Sequence, residues 1–140
     1  MATKQVSAKW TGEDLDFVGI DTRNNQVRMS GKDGPDSSPS QLMLLGLAGC
    51  TGMDVVSILQ KKRQKISNVE VMVIAHQPDD YPKPYHKIQL HYIVKGENLD
   101  PDAVERAIRL SEDKYCVVGQ TLKTNVDIKT SFKIEEVSLA

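Results

Sequence analysis

The stretch from Pro39 to about Arg63 constrains this chain most, because apolar side chains fall on nearly every side of the helix it predicts. Its start is well signalled: Ser38 suits an N-cap, Pro39 the first helical position, and Gln41 the third position of a capping box. Lys61, Lys62 and Arg63 follow at the end, where the helix dipole favours cations. A helix apolar all round is expected to be buried on all faces, at the centre of the protein or of a dimer. Thr51, Asp54 and Ser57 interrupt the apolar run, so a soluble core helix is expected and not a membrane span. Gly46, Gly49 and Gly52 each cost about 1 kcal/mol relative to alanine in a helix interior. Their spacing of three gives a stripe without side chains, along which another backbone or a substrate can approach closely.

Around this helix the chain alternates short strands and turns. Val6, Ala8 and Trp10, then Leu15–Ile20, then Gln26–Ser30 predict a three-stranded antiparallel meander, followed by the breaker-rich loop Gly31–Ser38. Val69–His76 is rich in β-branched residues, and a proline-containing loop separates it from Lys87–Lys95, where Ile88, Leu90, Tyr92 and Val94 alternate with polar residues. Asp100 and Pro101 open a second, amphipathic helix that carries Val104, Ala107, Ile108, Ser111 and Tyr115 on one face and ends near Cys116–Gly119. Asn125–Val137 predicts a last strand. The expected class is α+β, a single domain over residues 1–140.

With 18 basic and 19 acidic residues the formal net charge is −1, so there is no basic field to draw the chain to nucleic acid or to an anionic membrane surface. The N-terminus carries no secretory pattern, and the expected address is cytoplasmic. In a reducing compartment the two cysteines, Cys50 and Cys116, are either inert core thiols or working redox groups. Attack on a peroxide oxygen needs a thiolate, hence a nearby cation or hydrogen-bond donors and room for substrate. The resulting sulfenic acid is removed by a second thiol, which requires Cα atoms within about 7 Å. Packing of the second helix at the glycine stripe would bring Cys116 to Cys50.

Two segments sharpen the choice. Ser38-Pro39-Ser40-Gln41-Leu42 ahead of Leu47-Ala48-Gly49-Cys50-Thr51-Gly52-Met53-Asp54-Val55-Val56-Ser57-Ile58-Leu59, with Ser111-Glu112-Asp113-Lys114-Tyr115-Cys116-Val117-Val118 later, resembles the OsmC/Ohr family and most of all its YhfA-like branch. The likeness runs from about Lys9 to Val137. It implies an OsmC-like fold, with antiparallel sheets around a central buried helix and two chains intertwined as a homodimer whose active sites lie at the interface. It also implies thiol-dependent reduction of organic hydroperoxides in a stress response, with Cys50 peroxidatic and Cys116 resolving, and with reducing equivalents from a dithiol such as a lipoyl group. Val27-Arg28-Met29 resembles the arginine-bearing strand of the family, which makes Arg28, ahead of Arg23, the candidate to hold the Cys50 thiolate. The family's helix-borne glutamate is replaced: Ser40 stands at its usual position and Gln41 where YhfA-like members often carry it. An amide at Gln41 offers the arginine one hydrogen bond and no charge.

The remaining polar residues carry blander expectations. Asp54 reads as a structural acid paired with a buried donor such as a backbone amide or a cation. His76, His86 and His91 have no cysteine or carboxylate at ligand spacing, so no metal is expected, and no cofactor is called for. The rival reading is a non-catalytic dimer that binds a hydrophobic small molecule at its interface. A purely structural dimer whose cysteines only pack is the third.

Overall fold

The computed structural model describes residues 1–139, which fall into two compact units that divide between Met43 and Leu44. The first unit is the expected meander: β1 (Ser7–Trp10), β2 (Asp16–Ile20) and β3 (Gln26–Ser30) form an antiparallel sheet in that order. Asp21 makes the turn between β2 and β3 by accepting backbone N–H groups from Arg23 and Asn25 on one carboxylate oxygen, at 2.8 and 2.9 Å.

Helix α1 spans Pro39–Lys61, and its start matches the sequence signal, with the Gln41 N–H donating to Ser38 Oγ at 3.3 Å. It ends where Arg63 takes a left-handed φ of 57° and the Gln64 N–H reaches back to the Leu59 carbonyl. Only Leu47, Thr51, Val55 and Leu59 are buried, a stripe at i+4 spacing. The expectation of burial on all faces is therefore corrected for a single chain, since Leu45 and Met53 remain 59% and 74% exposed. By length and composition α1 is apolar enough to cross a membrane, yet Thr51 and Asp54 are hydrogen-bonded into the second unit, as a packed helix requires.

The second unit is built on β4 (Lys65–His76), β5 (Lys87–Glu97) and β6 (Asp127–Glu136), with β5 in the middle. Strand β4 starts earlier than expected, because Lys65 and Ile66 pair with Glu97 and Gly96 across a bulge. Gly96 is required there, since a Cβ would collide with the Lys65 carbonyl. The expected all-antiparallel arrangement is corrected at one pair: β5 and β6 run parallel. The connection between them has the length such a crossover needs. It consists of α2 (Pro101–Leu110), a single π-helical turn (Ser111–Tyr115) and α3 (Val117–Leu122). Asp100 caps α2, its Oδ1 accepting the Asp102 N–H at 3.0 Å. Ile88, Leu90, Tyr92 and Val94 line one face of β5 and form the core with Leu47, Val55 and Leu59 of α1 and Val104, Ala107 and Ile108 of α2.

Candidate active site

Cys50 and Asp54 lie four residues apart on α1, so they share one helix face. Cys116 comes to that face by a route the sequence does not announce. The expected helix through Cys116 is interrupted: after Leu110 the chain widens into the π-helical turn, and Cys116 takes an extended conformation (φ −74°, ψ 105°) as the cap of α3. Its N–H closes the turn on the Ser111 carbonyl at 2.9 Å, and its sulfur accepts the Gly119 N–H at 3.3 Å. The Sγ atoms of Cys50 and Cys116 and a carboxylate oxygen of Asp54 lie within 4.8 Å of one another.

The glycine stripe does not make this meeting. Gly49 and Gly52 line a separate open groove with Leu45, Met53, Val56 and Val71, and nothing lies within 4 Å of a Cβ placed at Gly46 or Gly49. The approach of Cys116 is set instead by the π-helical turn, with Gly119 leaving room beside its sulfur.

A chain of hydroxyls supports the carboxylate. Ser111 Oγ donates to Asp54 Oδ2 at 2.8 Å, Thr51 Oγ1 lies 2.9 Å from Ser111 Oγ, and Tyr92 Oη lies 2.6 Å from Thr51 Oγ1. Each hydroxyl has one proton. With the Ser111 proton on Asp54, the Thr51 proton must go to Ser111 and the Tyr92 proton to Thr51, so all three dipoles point toward the carboxylate. The buried donor expected for Asp54 is thus a serine hydroxyl, not a backbone amide or a cation. Burial pushes the Tyr92 phenol up to about 12, which keeps it a proton donor at neutral pH.

Cys116 is 2% exposed, and burial pushes its thiol up to about 11; the Gly119 N–H opposes the shift, while Cys50 and Asp54 add to it. At neutral pH Cys116 is therefore a thiol. A raised folded-state pKa stabilises the fold below pH 9 and loses that contribution as pH rises through 11, because the unfolded chain ionises first. The expected loss is roughly 1 kcal/mol at pH 10. Urea titrations at pH 8 and pH 10 measure it, and Cys116→Ser should remove that part of the difference.

Cys116 also lines a cavity of about 330 Å³ whose wall includes apolar Leu47, Leu90 and Ile128 and charged Glu112, Asp113 and Lys123. Burial raises the Glu112 carboxyl. Of the residues singled out from sequence, the structure brings Cys50 and Cys116 together. Arg28 and Gln41 belong to the first unit, where Arg28, with its side chain 60% exposed, contacts Asp36 through Nε at 3.4 Å. Arg23 lies in the turn held by Asp21. Thr51, Ser111 and Tyr92 were missed as a group, and no sequence signal links residues 51, 92 and 111.

A family model described as OsmC-like protein matches residues 31–131. The chain is 38% identical over 131 residues to Protein YhfA of Escherichia coli (strain K12), covering 93% of this chain and 97% of that protein. The structure resembles a hypothetical protein from Aquifex aeolicus VF5 at 26% identity, with a TM-score of 0.88 over 99% of this chain and 100% of the other. An organic hydroperoxide resistance protein OsmC from Legionella pneumophila shares the fold at 17% identity, with a TM-score of 0.69 over 95% of this chain and 98% of that one.

Proposed function

The chain belongs to the family of OsmC-like proteins, and on that premise we propose that it is a thiol-dependent peroxidase reducing organic hydroperoxides through a Cys50/Cys116 cycle. The observation that carries this reading is the approach of two free thiols from separate elements to within 4.8 Å of one another. The organic hydroperoxide resistance protein of the same fold supports the substrate class.

In the proposed cycle the Cys50 thiolate attacks the distal peroxide oxygen and the O–O bond breaks. Cys50 becomes a sulfenic acid, and the alkoxide leaves as an alcohol after taking a proton. Cys116 then attacks the sulfenic sulfur; its proton and the departing hydroxide form water, and the disulfide closes. An external dithiol, such as a lipoyl group, returns two electrons by thiol–disulfide exchange. Arg28 is proposed to stabilise the thiolate and polarise the O–O bond, and Gln41 to help orient it. The carboxylate beside the dithiol belongs to Asp54, so a helix acid is present four residues after Cys50 although Ser40 and Gln41 replace the earlier one. A cytoplasmic address and a homodimer are part of the proposal; the exposed Leu45 and Met53 on α1 support the homodimer.

Intact mass and thiol counting before and after one equivalent of cumene hydroperoxide test the cycle. The wild type should lose two hydrogens and both thiols, and Cys116→Ser should instead accumulate a sulfenic acid trappable with dimedone. Two thiols surviving in the wild type would overturn the proposal. The cavity beside Cys116 favours a second reading, a carrier of a hydrophobic small molecule with idle thiols. That reading requires a ligand in organic extracts of the purified protein.

A further inference from the structure

We infer that Cys50, Asp54 and Cys116 form a site for one thiophilic divalent cation of the Zn²⁺ or Cd²⁺ type, open to the reduced protein and closed to the disulfide. The inference does not depend on peroxidase activity, because the same donors bind a cation whether or not a peroxide is turned over.

Geometry is the first ground. Three donor atoms, two sulfurs and one carboxylate oxygen, already lie within 4.8 Å of one another. Around a tetrahedral Zn²⁺, with Zn–S about 2.3 Å and Zn–O about 2.0–2.2 Å, neighbouring donors stand roughly 3.5–3.8 Å apart. Closing the difference takes rotation about side-chain bonds, and the backbones that carry the donors are fixed by α1 and by the π-helical turn. Cys50 and Asp54 present themselves at i and i+4 of one helix, the spacing by which helices commonly offer two ligands to one ion.

The surroundings of the donors are the second ground. Metal-binding carboxylates are oriented by hydrogen bonds from a second layer of side chains. Asp54 has such a layer in Ser111, which is held in turn by Thr51 and Tyr92. The Gly119 N–H donates to the Cys116 sulfur at 3.3 Å and fixes its position beside Cys50 and Asp54. Three protein donors leave a fourth position open, and the cavity on the Cys116 side gives water or a small ligand room to occupy it.

Donor type sets the class of ion. Two thiolates select soft or borderline cations and discriminate against Mg²⁺ and Ca²⁺. Binding replaces two sulfhydryl protons, which are released to solvent, and leaves the three ligands and the ion with a net charge of −1. Forming the Cys50–Cys116 disulfide removes two electrons and both thiolate charges and leaves neutral sulfurs that are poor ligands, so metal binding and disulfide formation exclude one another. A bound cation would protect the dithiol from oxidation and keep it out of any redox cycle.

The test is an anaerobic titration of the fully reduced, full-length protein with Cd²⁺, followed by thiolate-to-metal charge-transfer absorption in the ultraviolet and by thiol counting. Expected is saturation at one ion per chain, with both cysteines protected from a thiol reagent. The diamide-oxidised protein should show no absorption change. Asp54→Asn should weaken binding by about tenfold or more, and Cys116→Ser by a larger factor. Unprotected thiols at equimolar Cd²⁺ would overturn the inference, as would binding by Cys116→Ser equal to that of the wild type, or full affinity in Asp54→Asn. The thiol count and the oxidised control need no variant, so a misfolded mutant does not rescue the idea.

Discussion

Cys50→Ser is expected to lower the rate of cumene hydroperoxide consumption by roughly a thousandfold or more, in a coupled assay with a dithiol reductant, while the thermal midpoint stays within a few degrees of the wild type. The size of the effect follows from the nucleophile. A serine hydroxyl is far less ionised at neutral pH than a thiol, and its oxygen is a poorer nucleophile toward peroxide oxygen, so no residual cycle through residue 50 remains. Cys116 cannot replace it readily, because it is buried and its thiol is pushed up to about 11. The small effect on stability also has a physical source. Cys50 is only half-buried, and serine differs from it by one atom of similar size, so neither a large cavity nor a deeply buried unpaired hydroxyl results. An unchanged rate in Cys50→Ser would remove the dithiol cycle and leave the cavity beside Cys116 as the site to pursue.

How far the site could be read from sequence depends on which forces are local. The start of α1 at Ser38-Pro39 and of α2 at Asp100-Pro101 are properties of a few adjacent residues, and both appear where the caps predict them. The β2–β3 turn is local in the same sense. The parallel partnership of β5 with β6 is not, because it is decided by where a crossover of helices deposits the chain, and the alternation in 127–136 is the same for either direction. The glycine spacing in α1 predicts an approach path for Cys116, yet Gly49 and Gly52 line a groove of their own. A stripe of small residues signals room and does not say who uses it.

The break at Cys116 is the most consequential departure. Propensity carries a helix through Glu112, Asp113 and Lys114, but the wider π-helical turn draws the Cys116 N–H to the Ser111 carbonyl and frees the sulfur to face α1. Hydroxyls at positions 51, 92 and 111 are individually ordinary; only the fold makes them consecutive. Cys50 and Cys116 were legible because thiols are few in this chain and both stand in family-like segments. Their neighbours were illegible because hydrogen bonding between distant residues leaves no periodic trace.

That hydroxyl chain supports the largest stability effect expected for a single substitution at the site. Thr51→Val keeps the shape of the side chain and removes its oxygen, so the change isolates hydrogen bonding from packing. Tyr92 Oη then loses the partner at 2.6 Å in a fully buried position, and Ser111 loses the neighbour at 2.9 Å while keeping its bond to Asp54. An orphaned buried hydroxyl costs about 1–3 kcal/mol; Tyr92 is orphaned and Ser111 loses one of its two partners, so a loss of about 2–3 kcal/mol is expected. It should be read as a lower urea midpoint with an unchanged slope, which marks lost stability and not a changed unfolded state. Tyr92→Phe added to Thr51→Val should restore part of the loss, since it removes the phenol that was left unpaired. The partial recovery separates a polar network from simple cavity formation, which a second truncation would only worsen. If the double variant is less stable than Thr51→Val by the full cost of Tyr92→Phe alone, the two hydroxyls are energetically independent, and the chain from Tyr92 to Asp54 does not act as a unit in holding the carboxylate beside the two sulfurs.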